Sequence, residues 1–161
     1  MRFGIALGSN LGDRAANMQR GIELLLASVP GIKLAASSPI YETDPVDCAP
    51  GTQAFLNNVI EVEAACTPSE LHAHLKAVEL ALGRPAQRER NSPRTLDLDL
   101  LYADEVISTN PDLILPHPRM HLRNFVMRPL ADIRPELILP GFLQPVSAFL
   151  KKDTSARLYA K

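Results

Sequence analysis

The sequence has few cysteines, little net charge and no long apolar stretch, and each absence narrows the class of protein. Its 161 residues include only two cysteines, Cys48 and Cys66. Two isolated cysteines cannot build a zinc site, and a short secreted protein usually carries more, so we expect reduced thiols in an intracellular protein. Seventeen basic and eighteen acidic residues leave a net charge of -1, which does not suit a protein that binds nucleic acid mainly through phosphate contacts.

Membrane and export signals are also missing from the sequence. No segment approaches the roughly 18 apolar residues that a membrane-spanning helix needs, and residues 1–5 lack the apolar region of a secretory signal. Hydrophobic residues make up 46% and charged residues 22% of the chain, as in a globular protein. We therefore expect one cytoplasmic, monomeric domain over residues 1–161, with no membrane or nucleic-acid partner.

Hydrophobic periodicity predicts an alternation of strands and helices. Apolar residues recur at every second position in four segments and at helical spacing in two others. Residues 67–70 mark a helix start, because they combine a capping Thr, a Pro in the first turn and a Glu that closes the capping box. The predicted strands cover residues 3–7, 32–41, 55–62 and 95–101, and the predicted helices cover residues 18–29 and 68–82.

The order of these elements predicts the fold. Strand, helix, strand, strand, helix, strand is the split βαβ pattern of a ferredoxin-like βαββαβ sandwich, in the α/β (α+β) class. The remainder of the chain is rich in proline, so we predict a C-terminal extension of loops and short helices. There is no internal repeat and no indication of a second domain.

The most informative segment is Arg-Thr-Leu-Asp-Leu-Asp-Leu at residues 94–100. In a strand, Asp97 and Asp99 share one face, roughly 7 Å apart at their Cβ atoms, while the leucines point into the core. Two carboxylates at this spacing can hold one or two divalent cations, and Mg²⁺ prefers such oxygen ligands together with substrate phosphates. The spacing alone is equally compatible with a solvated strand face, although strands disfavour Asp.

Four arginines in the preceding loop favour the metal interpretation. Arg84, Arg88, Arg90 and Arg94 lie close together in the sequence and would repel one another unless an anion lies among them. Guanidinium groups match phosphate oxygens bidentately. Any single arginine is better explained as part of an exposed loop paired with Glu89. Arginines for phosphate beside carboxylates for Mg²⁺ together predict a metal–nucleotide site.

Three other functions would use some of the same residues. A glycosidase also needs two carboxylates, but neighbouring arginines would lower both pKa values and remove the protonated acid. A P-loop ATPase would need a Lys in the glycine turn at residues 8–12, which has none. A ferredoxin-like binding module without catalysis, for RNA, stays open, although the strands lack the basic and aromatic motif of such modules.

Residues 93–99 resemble the signature of the 6-hydroxymethyl-7,8-dihydropterin pyrophosphokinase family. Further similarity lies at the glycine turn 8–12, at Phe-Leu-Asn in residues 55–57, at Pro116-His117 and at Arg-Asn-Phe in residues 123–125. The resemblance therefore spans most of the chain. It implies an enzyme of tetrahydrofolate biosynthesis that transfers pyrophosphate from ATP to the hydroxymethyl group of the dihydropterin and releases AMP.

The resemblance also implies roles for particular residues. Asp97 and Asp99 would hold two Mg²⁺ ions that bridge the phosphates, and together with Arg84 and Arg94 they would be the catalytic residues. Phe55 and Phe125 would sandwich the pterin ring, with ATP as the co-substrate. The implied nucleotide-binding residues are Glu79, Arg84, Arg90, Arg94, His117 and Arg123. The implied pterin-binding residues are Thr43, Val46, Phe55, Asn57, Asp97 and Phe125.

Without the resemblance, several of these residues would be interpreted differently. Phe55 and Phe125 would be assigned to the core, and Glu79 would be a surface glutamate at the edge of its helix's apolar stripe. His117, between two prolines, would be an ordinary loop residue. The arginine-rich loop at residues 84–93 would be expected to close when nucleotide binds.

Overall fold

A six-stranded sheet lies at the centre of the computed structural model, which describes residues 1–44, 50–83, 95–152 and 156–159. Its strands are β1 (Arg2–Ser9), β2 (Lys33–Ser37), β3 (Tyr41–Thr43), β4 (Phe55–Glu63), β5 (Asp97–Ala103) and β6 (Ala156–Leu158). Neighbouring strands follow the order β5-β1-β4-β3-β6, and β2 also pairs with β4. All of these pairings are antiparallel. The order β5-β1-β4-β2 is that of the split βαβ sandwich, so the predicted ferredoxin-like fold is confirmed.

Helices cover both faces of the sheet. The helices α1 (Arg14–Ser28) and α2 (Pro68–Ala81) pack on one face, where Met18 and Leu75 meet Ile60 in a buried core. The helix α3 (Asn124–Ile133) packs on the opposite face, where Met127 meets Val59 in a second core. Because side chains alternate along β4, this strand contributes to both cores, one on each face of the sheet.

The second helix begins and ends where the sequence predicts. Thr67 Oγ1 accepts a hydrogen bond from the Glu70 N–H at 3.2 Å, and Glu70 Oε2 accepts one from the Thr67 N–H at 2.8 Å. This capping box satisfies two of the N–H groups that a helix start leaves free. Gly83 follows the helix with a φ of +94°, a conformation that glycine adopts without strain.

The predicted strand over residues 32–41 is wrong in one respect, because it forms two strands, β2 and β3. Pro39 lies in the gap between them and has no N–H to donate. Ser38 takes over part of the pairing: its N–H donates to Val59 O at 2.9 Å, and its Oγ accepts from the Val59 N–H at 3.0 Å. A side chain therefore replaces the backbone carbonyl at this point of the ladder, and the regular strand ends.

The C-terminal extension contains more regular structure than its prolines suggest. Helix α3 forms although Pro129 lies inside it, because Val126, Met127 and Leu130 are buried together on one side. The extension also supplies β6, which pairs with β3. The prediction of loops and short helices is therefore incomplete, since the contacts that stabilise α3 and β6 come from distant parts of the chain.

Two smaller expectations concern thiols and membranes. Cys66 is a free thiol, and burial raises its pKa. Cys48 lies outside the described residues. In the part of the chain that the structure describes, no helix combines the length and the apolar character that a bilayer crossing requires.

A buried carboxylate joins the sheet to the end of α3. Glu61 is 1% exposed, and its Oε2 accepts hydrogen bonds from the Tyr102 hydroxyl and from Arg134 Nη1, each at 2.6 Å. Arg2 Nη1 donates to the other oxygen at 3.2 Å. A Cβ atom at Gly4 would lie 2.2 Å from the Tyr102 ring. The glycine therefore leaves the space that this ring fills.

Gly4→Ala is expected to lower the free energy of unfolding by about 1–3 kcal/mol, because the added methyl group overlaps a ring that Glu61 holds in place. Urea unfolding of the two proteins measures the difference. The same substitution in a Tyr102→Ala background is the control, and it should cost much less there because the ring is absent. An equal cost in both backgrounds would contradict the overlap.

Candidate active site

Asp97 and Asp99 lie on the same face of β5, as their alternation predicts. Asp97 is opposite Gly8 of β1, and Asp99 is opposite Ala6. Leu98, between them, is buried on the other face of the strand. Both carboxylates are half-buried, and the two facing residues of β1 contribute little side-chain volume beside them.

Burial and the neighbouring charge of Asp97 disfavour the ionisation of Asp99. Burial raises the pKa of Asp99, and the negative charge of Asp97 raises it further. His117, Lys76 and Arg123 act in the opposite direction but do not outweigh these two effects. A cation bound beside Asp99 would therefore favour its ionised form.

The oxygen atoms of Asp97 and Asp99 fit Mg²⁺ that also binds water and substrate, and do not fit a metal ion held by protein ligands alone. Among the described residues, no group of three or more His, Cys, Asp and Glu side chains could hold a metal ion by itself. Asp97 and Asp99 offer hard oxygen ligands but too few to complete an octahedral shell. Mg²⁺ typically keeps several waters and shares one or two carboxylates with substrate phosphates. The two residues present therefore fit such an ion, and the remaining ligands would come from water and substrate.

His117 and Arg123 of the C-terminal extension lie within electrostatic range of the carboxylates. The backbone N–H of His117 donates to the backbone carbonyl of Leu101 at 2.8 Å, and this bond fixes the loop of His117 beside β5. Burial lowers the pKa of His117, Asp99 raises it, and Arg123 lowers it. Its Nδ1 accepts a hydrogen bond from the Arg119 N–H at 3.2 Å, so the neutral ring carries its proton on Nε2. The tertiary structure thus brings two predicted nucleotide-binding residues to Asp99.

Glu79 contacts the backbone of the strand that carries the carboxylates. It is 2% exposed, and its Oε1 accepts a hydrogen bond from the Leu98 N–H at 2.7 Å. The Lys76 ammonium lies 3.5 Å from the same oxygen. The interpretation of Glu79 as a surface residue is therefore wrong. Its carboxylate fixes the residue between Asp97 and Asp99, which positions both of them.

Asn57, Gly8 and Asp97 form one row across three neighbouring strands. Gly8 of β1 is opposite Asn57 of β4 on one side and opposite Asp97 of β5 on the other. A Cβ atom at Gly8 would lie 3.2 Å from Asn57 Oδ1 and 4.0 Å from the Asp97 Cβ. Sequence reasoning assigned this glycine only to the turn after β1. A glycine inside a strand is the signal that could have identified it, since it often marks a close approach of another group.

Thr43 orients the Asn57 side chain. Asn57 Nδ2 donates to Thr43 Oγ1 at 2.9 Å, and both residues are buried. An amide has one carbonyl oxygen and two N–H donors, and this bond occupies one donor. The bond therefore fixes the direction of the amide while leaving other positions for a polar ligand edge.

The two predicted pterin-sandwiching rings lie at the ends of their elements. Phe55 begins β4 opposite Thr43 and is half-buried. Phe125 is 37% exposed in the first turn of α3, and the Arg123 guanidinium carbon lies 5.7 Å from its ring centre. Neither ring belongs to the buried cores, so the interpretation of both as core residues is wrong. Exposed aromatic rings of this kind are suited to contact a ligand.

A pocket of ≈ 220 Å³ adjoins Asp99. Asp99, His117 and His72 line it together with the apolar side chains of Leu113 and Ile114. His72 Nδ1 is buried without a hydrogen-bond partner, and burial lowers the pKa of this ring. Sequence reasoning did not identify His72, because it lies in α2 between residues of the apolar stripe.

Four predicted site residues lie outside the described residues. These are Val46, Arg84, Arg90 and Arg94, and Arg88 lies outside them as well. The predicted closure of the arginine-rich loop falls on the same residues. Their assigned roles stay predictions.

Fold and site together define a ferredoxin-like α/β sandwich with a half-buried carboxylate pair on one sheet face. The model of the 7,8-dihydro-6-hydroxymethylpterin-pyrophosphokinase (HPPK) family matches residues 4–135. The chain therefore belongs to this family. The match includes every predicted site residue and ends before β6.

Curated relatives agree with this assignment. The chain is 41% identical over 129 residues to 2-amino-4-hydroxy-6-hydroxymethyldihydropteridine pyrophosphokinase of Bacillus subtilis. This match covers 80% of this chain and 75% of the relative. The enzyme of the same name from Pseudomonas aeruginosa is 39% identical over 139 residues, covering 86% and 84% of the two chains.

Solved structures share the fold at lower identity. A crystal structure of HPPK-DHPS in complex with substrates superposes with a TM-score of 0.71 at 14% identity and covers 92% of this chain. The present chain spans 44% of that solved chain. Wild-type Plasmodium falciparum HPPK-DHPS with pteroate gives a TM-score of 0.67 at 14% identity, with 92% of this chain and 41% of that chain covered. At these identities the likeness concerns the fold alone.

Glu79→Ala is expected to increase the exchange rate of the Leu98 amide proton by roughly 10–100-fold, because the N–H loses a charged acceptor. Hydrogen exchange followed by NMR measures the exchange rate of this amide in both proteins. Glu79→Gln is the matched control, since its amide oxygen can still accept the bond, and Ile60 of the central strand reports any global loss of stability. Unchanged Leu98 exchange in Glu79→Ala would contradict the positioning role.

Asp99→Asn is expected to raise the free energy of unfolding at pH 7 in metal-free buffer. The pKa of Asp99 is higher in the folded than in the unfolded chain, so the stability of the wild type falls as the pH rises from 3.8 through the raised pKa. Asn has no ionisable group, so the variant does not lose stability in this way. The difference in the free energy of unfolding between variant and wild type should therefore be small at acidic pH and grow as the pH rises through the raised pKa.

Urea unfolding with a chelator, at several values between about pH 3.5 and 7, measures the advantage. Glu105→Gln is the control, because it removes an exposed carboxylate in the turn after the same strand. A stability difference that is independent of pH would rule out the proposed repulsion.

Proposed function

We propose that this chain transfers pyrophosphate from ATP to the hydroxymethyl group of 6-hydroxymethyl-7,8-dihydropterin, in the folate biosynthesis that its family serves. The hydroxyl oxygen attacks the β-phosphorus of ATP, the bond from this phosphorus to the oxygen that bridges to the α-phosphate breaks, and AMP leaves. The hydroxyl proton is lost to solvent or a nearby base. The observation that carries the proposal is the row of Asn57, Gly8 and Asp97 in a chain of this family.

The carboxylates would hold two Mg²⁺ ions on the polyphosphate. Bound Mg²⁺ neutralises phosphate charge and aligns the groups that react. Asp97 and Asp99 supply the protein ligands, and their mutual repulsion in the half-buried site favours cation binding. Glu79 supports this arrangement through the backbone of Leu98. The work of the protein is chiefly positioning and charge neutralisation, so no nucleophilic side chain is needed.

Cationic side chains would bind the nucleotide phosphates around this centre. His117 lines a pocket with Asp99, and Arg123 lies within electrostatic range of it, so both would donate to phosphate oxygens from the side of the C-terminal extension. Arg84, Arg90 and Arg94 would bind the polyphosphate from the loop before β5, with Arg84 and Arg94 in the transfer itself. An arginine can contribute on the order of 10³–10⁵ in rate to such chemistry.

The pterin would lie on the Asn57 side of Gly8. Asn57 and Thr43 offer hydrogen-bonding groups that are already oriented by their mutual bond, and the backbone near Val46 would complete the polar contacts. Phe55 and Phe125 have partly exposed rings that would stack on the two faces of the pterin. The hydroxymethyl group would then point along the row toward Asp97.

A non-catalytic RNA-binding module is disfavoured by the charge of this face. Phosphates of RNA would meet the carboxylates of Asp97 and Asp99 directly, whereas such modules typically stack bases on aromatic residues of the sheet. A metal-complexed triphosphate does not meet this repulsion. The pyrophosphokinase is therefore the better fit.

Incubation of the protein with ATP, Mg²⁺ and 6-hydroxymethyl-7,8-dihydropterin is expected to produce AMP, and Asp97→Asn should reduce turnover by on the order of 10²–10⁴, because several kcal/mol of charge stabilisation are lost. Chromatography of the nucleotides measures both. Glu105→Gln should keep wild-type turnover. Omission of Mg²⁺ should stop the reaction.

Two results would contradict the proposal. Release of ADP instead of AMP would indicate simple phosphoryl transfer. Near wild-type turnover of Asp97→Asn would remove the metal assignment while leaving the reaction itself standing.

A further inference from the structure

The C-terminal strand β6 lies outside the residues that the family model matches, which end at residue 135. It pairs with β3, and β3 is therefore held between β4 and β6. Thr43, the last residue of β3, is opposite Phe55 on one side and opposite Ala156 on the other. The strand that follows the family region thus touches the strand that orients Asn57.

Arg14 joins the start of α1 to β3 and to the segment after β6. Its side chain is 14% exposed and donates to Glu42 Oε2 at 2.7 Å and to Ala54 O at 2.8 Å. The guanidinium carbon also lies 5.6 Å from the ring centre of Tyr159. Three separate segments around β3 therefore share one cation.

Arg157 of β6 forms a second link at the same end of β3. Its guanidinium donates to the two carboxylate oxygens of Asp44 at 3.2 and 3.0 Å, and it lies 3.8 Å from Glu42 Oε1. Glu42 is therefore paired with Arg14 on one side and with Arg157 on the other. The bidentate contact to Asp44 is of the geometrically specific kind.

The two ends of β3 are held by different contacts. At the beginning, the Tyr41 hydroxyl donates to Asp132 of α3 at 2.5 Å, and the Tyr159 N–H donates to Ile40 O at 2.9 Å. At the other end, next to Thr43, β3 pairs with β4 and β6, and Thr43 accepts the hydrogen bond from Asn57. Glu42 and Asp44 form the ion pairs with Arg14 and Arg157 described above. A strand of three residues has little stability of its own, so the position of Thr43 depends on its neighbours.

We infer that β6 is a positioning element for the pterin side of the active site, acting through Arg157 on the end of β3 that carries Thr43. Arg157 acts through Glu42 and Asp44 and does not itself contact the substrates. The inference rests on the proposed function, because it assigns Thr43 and Asn57 to the pterin. Disruption of β6 should therefore weaken pterin binding while leaving nucleotide binding at Asp97 and Asp99 unchanged.

The test uses the full chain with two disrupting variants. Arg157→Ala removes both ion pairs, and Tyr159→Pro removes the N–H that bonds Ile40 as well as the ring beside Arg14. Arg157→Lys is the conservative variant, which keeps the charge. Leu158→Ala is the matched control, because it shortens a side chain of the same strand that is 66% exposed.

Binding of 6-hydroxymethylpterin is followed by its own fluorescence in the presence of Mg²⁺ and α,β-methylene-ATP, whose α–β linkage cannot be cleaved by the transfer. The chain has no Trp that would interfere. Binding of α,β-methylene-ATP alone is measured by calorimetry.

For both disrupting variants we expect the Kd of the pterin to rise roughly three- to tenfold, the range for losing one or two partly exposed contacts. The Kd of the nucleotide should be unchanged, and Arg157→Lys should restore part of the pterin affinity.

Three results would overturn the inference. Wild-type pterin affinity in both disrupting variants would show that β6 does not position the site. Equal loss of pterin and nucleotide affinity, together with a lower unfolding temperature, would indicate a general structural role only. Failure of the wild type to bind 6-hydroxymethylpterin would contradict the proposed function, and this inference with it. That result differs from failure of the inference alone, in which the wild type binds the pterin and the two disrupting variants bind it equally well.

Discussion

The mutual repulsion of Asp97 and Asp99 is the constraint on which the rest of the site depends. The two carboxylates lie half-buried on an edge strand, where burial and the charge of Asp97 both oppose the ionisation of Asp99. The opposite face of β5 is apolar and packed in the core. Glu79 accepts a hydrogen bond from the backbone N–H of Leu98, the residue between the two carboxylates. One face of the strand thus supplies stability and the other carries unfavourable charge, as is common at functional sites.

Small residues in β1 determine how the two halves of the site meet. Gly8 separates Asn57 from Asp97, and a side chain there would fill the space between them. Since neighbouring strands lie about 4.8 Å apart, the backbones of β4 and β5 are separated by roughly 10 Å at this row. That separation leaves room for the group that the proposed reaction transfers, with the pterin proposed on the Asn57 side and the phosphates on the Asp97 side. The large residues of β1 point to the opposite face, where they form the core with α1 and α2.

The site draws on segments that are distant in the sequence and is supported differently on its two sides. On the phosphate side, α2 and the loop of His117 fix β5 through hydrogen bonds to the strand's backbone. On the pterin side, the short strand β3 depends on β4, on α3 and, by our inference, on ion pairs from β6. The backbone of β5 is thus held directly, whereas the end of β3 is held through side chains that carry opposite charges.

Local patterns, namely alternation and the capping motif at residues 67–70, by themselves determined most strands of the sheet, the capping box of α2 and the common face of Asp97 and Asp99, because these features depend on residues close together in the chain. Resemblance to a family, and not periodicity, predicts ligand roles for Asn57, Phe55 and Phe125, since an aromatic or amide side chain in a strand or helix has no local pattern that distinguishes a ligand contact from packing. Only the tertiary structure decided that Glu79 bonds the backbone of the Asp strand, that Gly8 separates Asn57 from Asp97, and that β6 joins the sheet. Each of these depends on contacts between segments far apart in the sequence, which no local pattern of residues encodes.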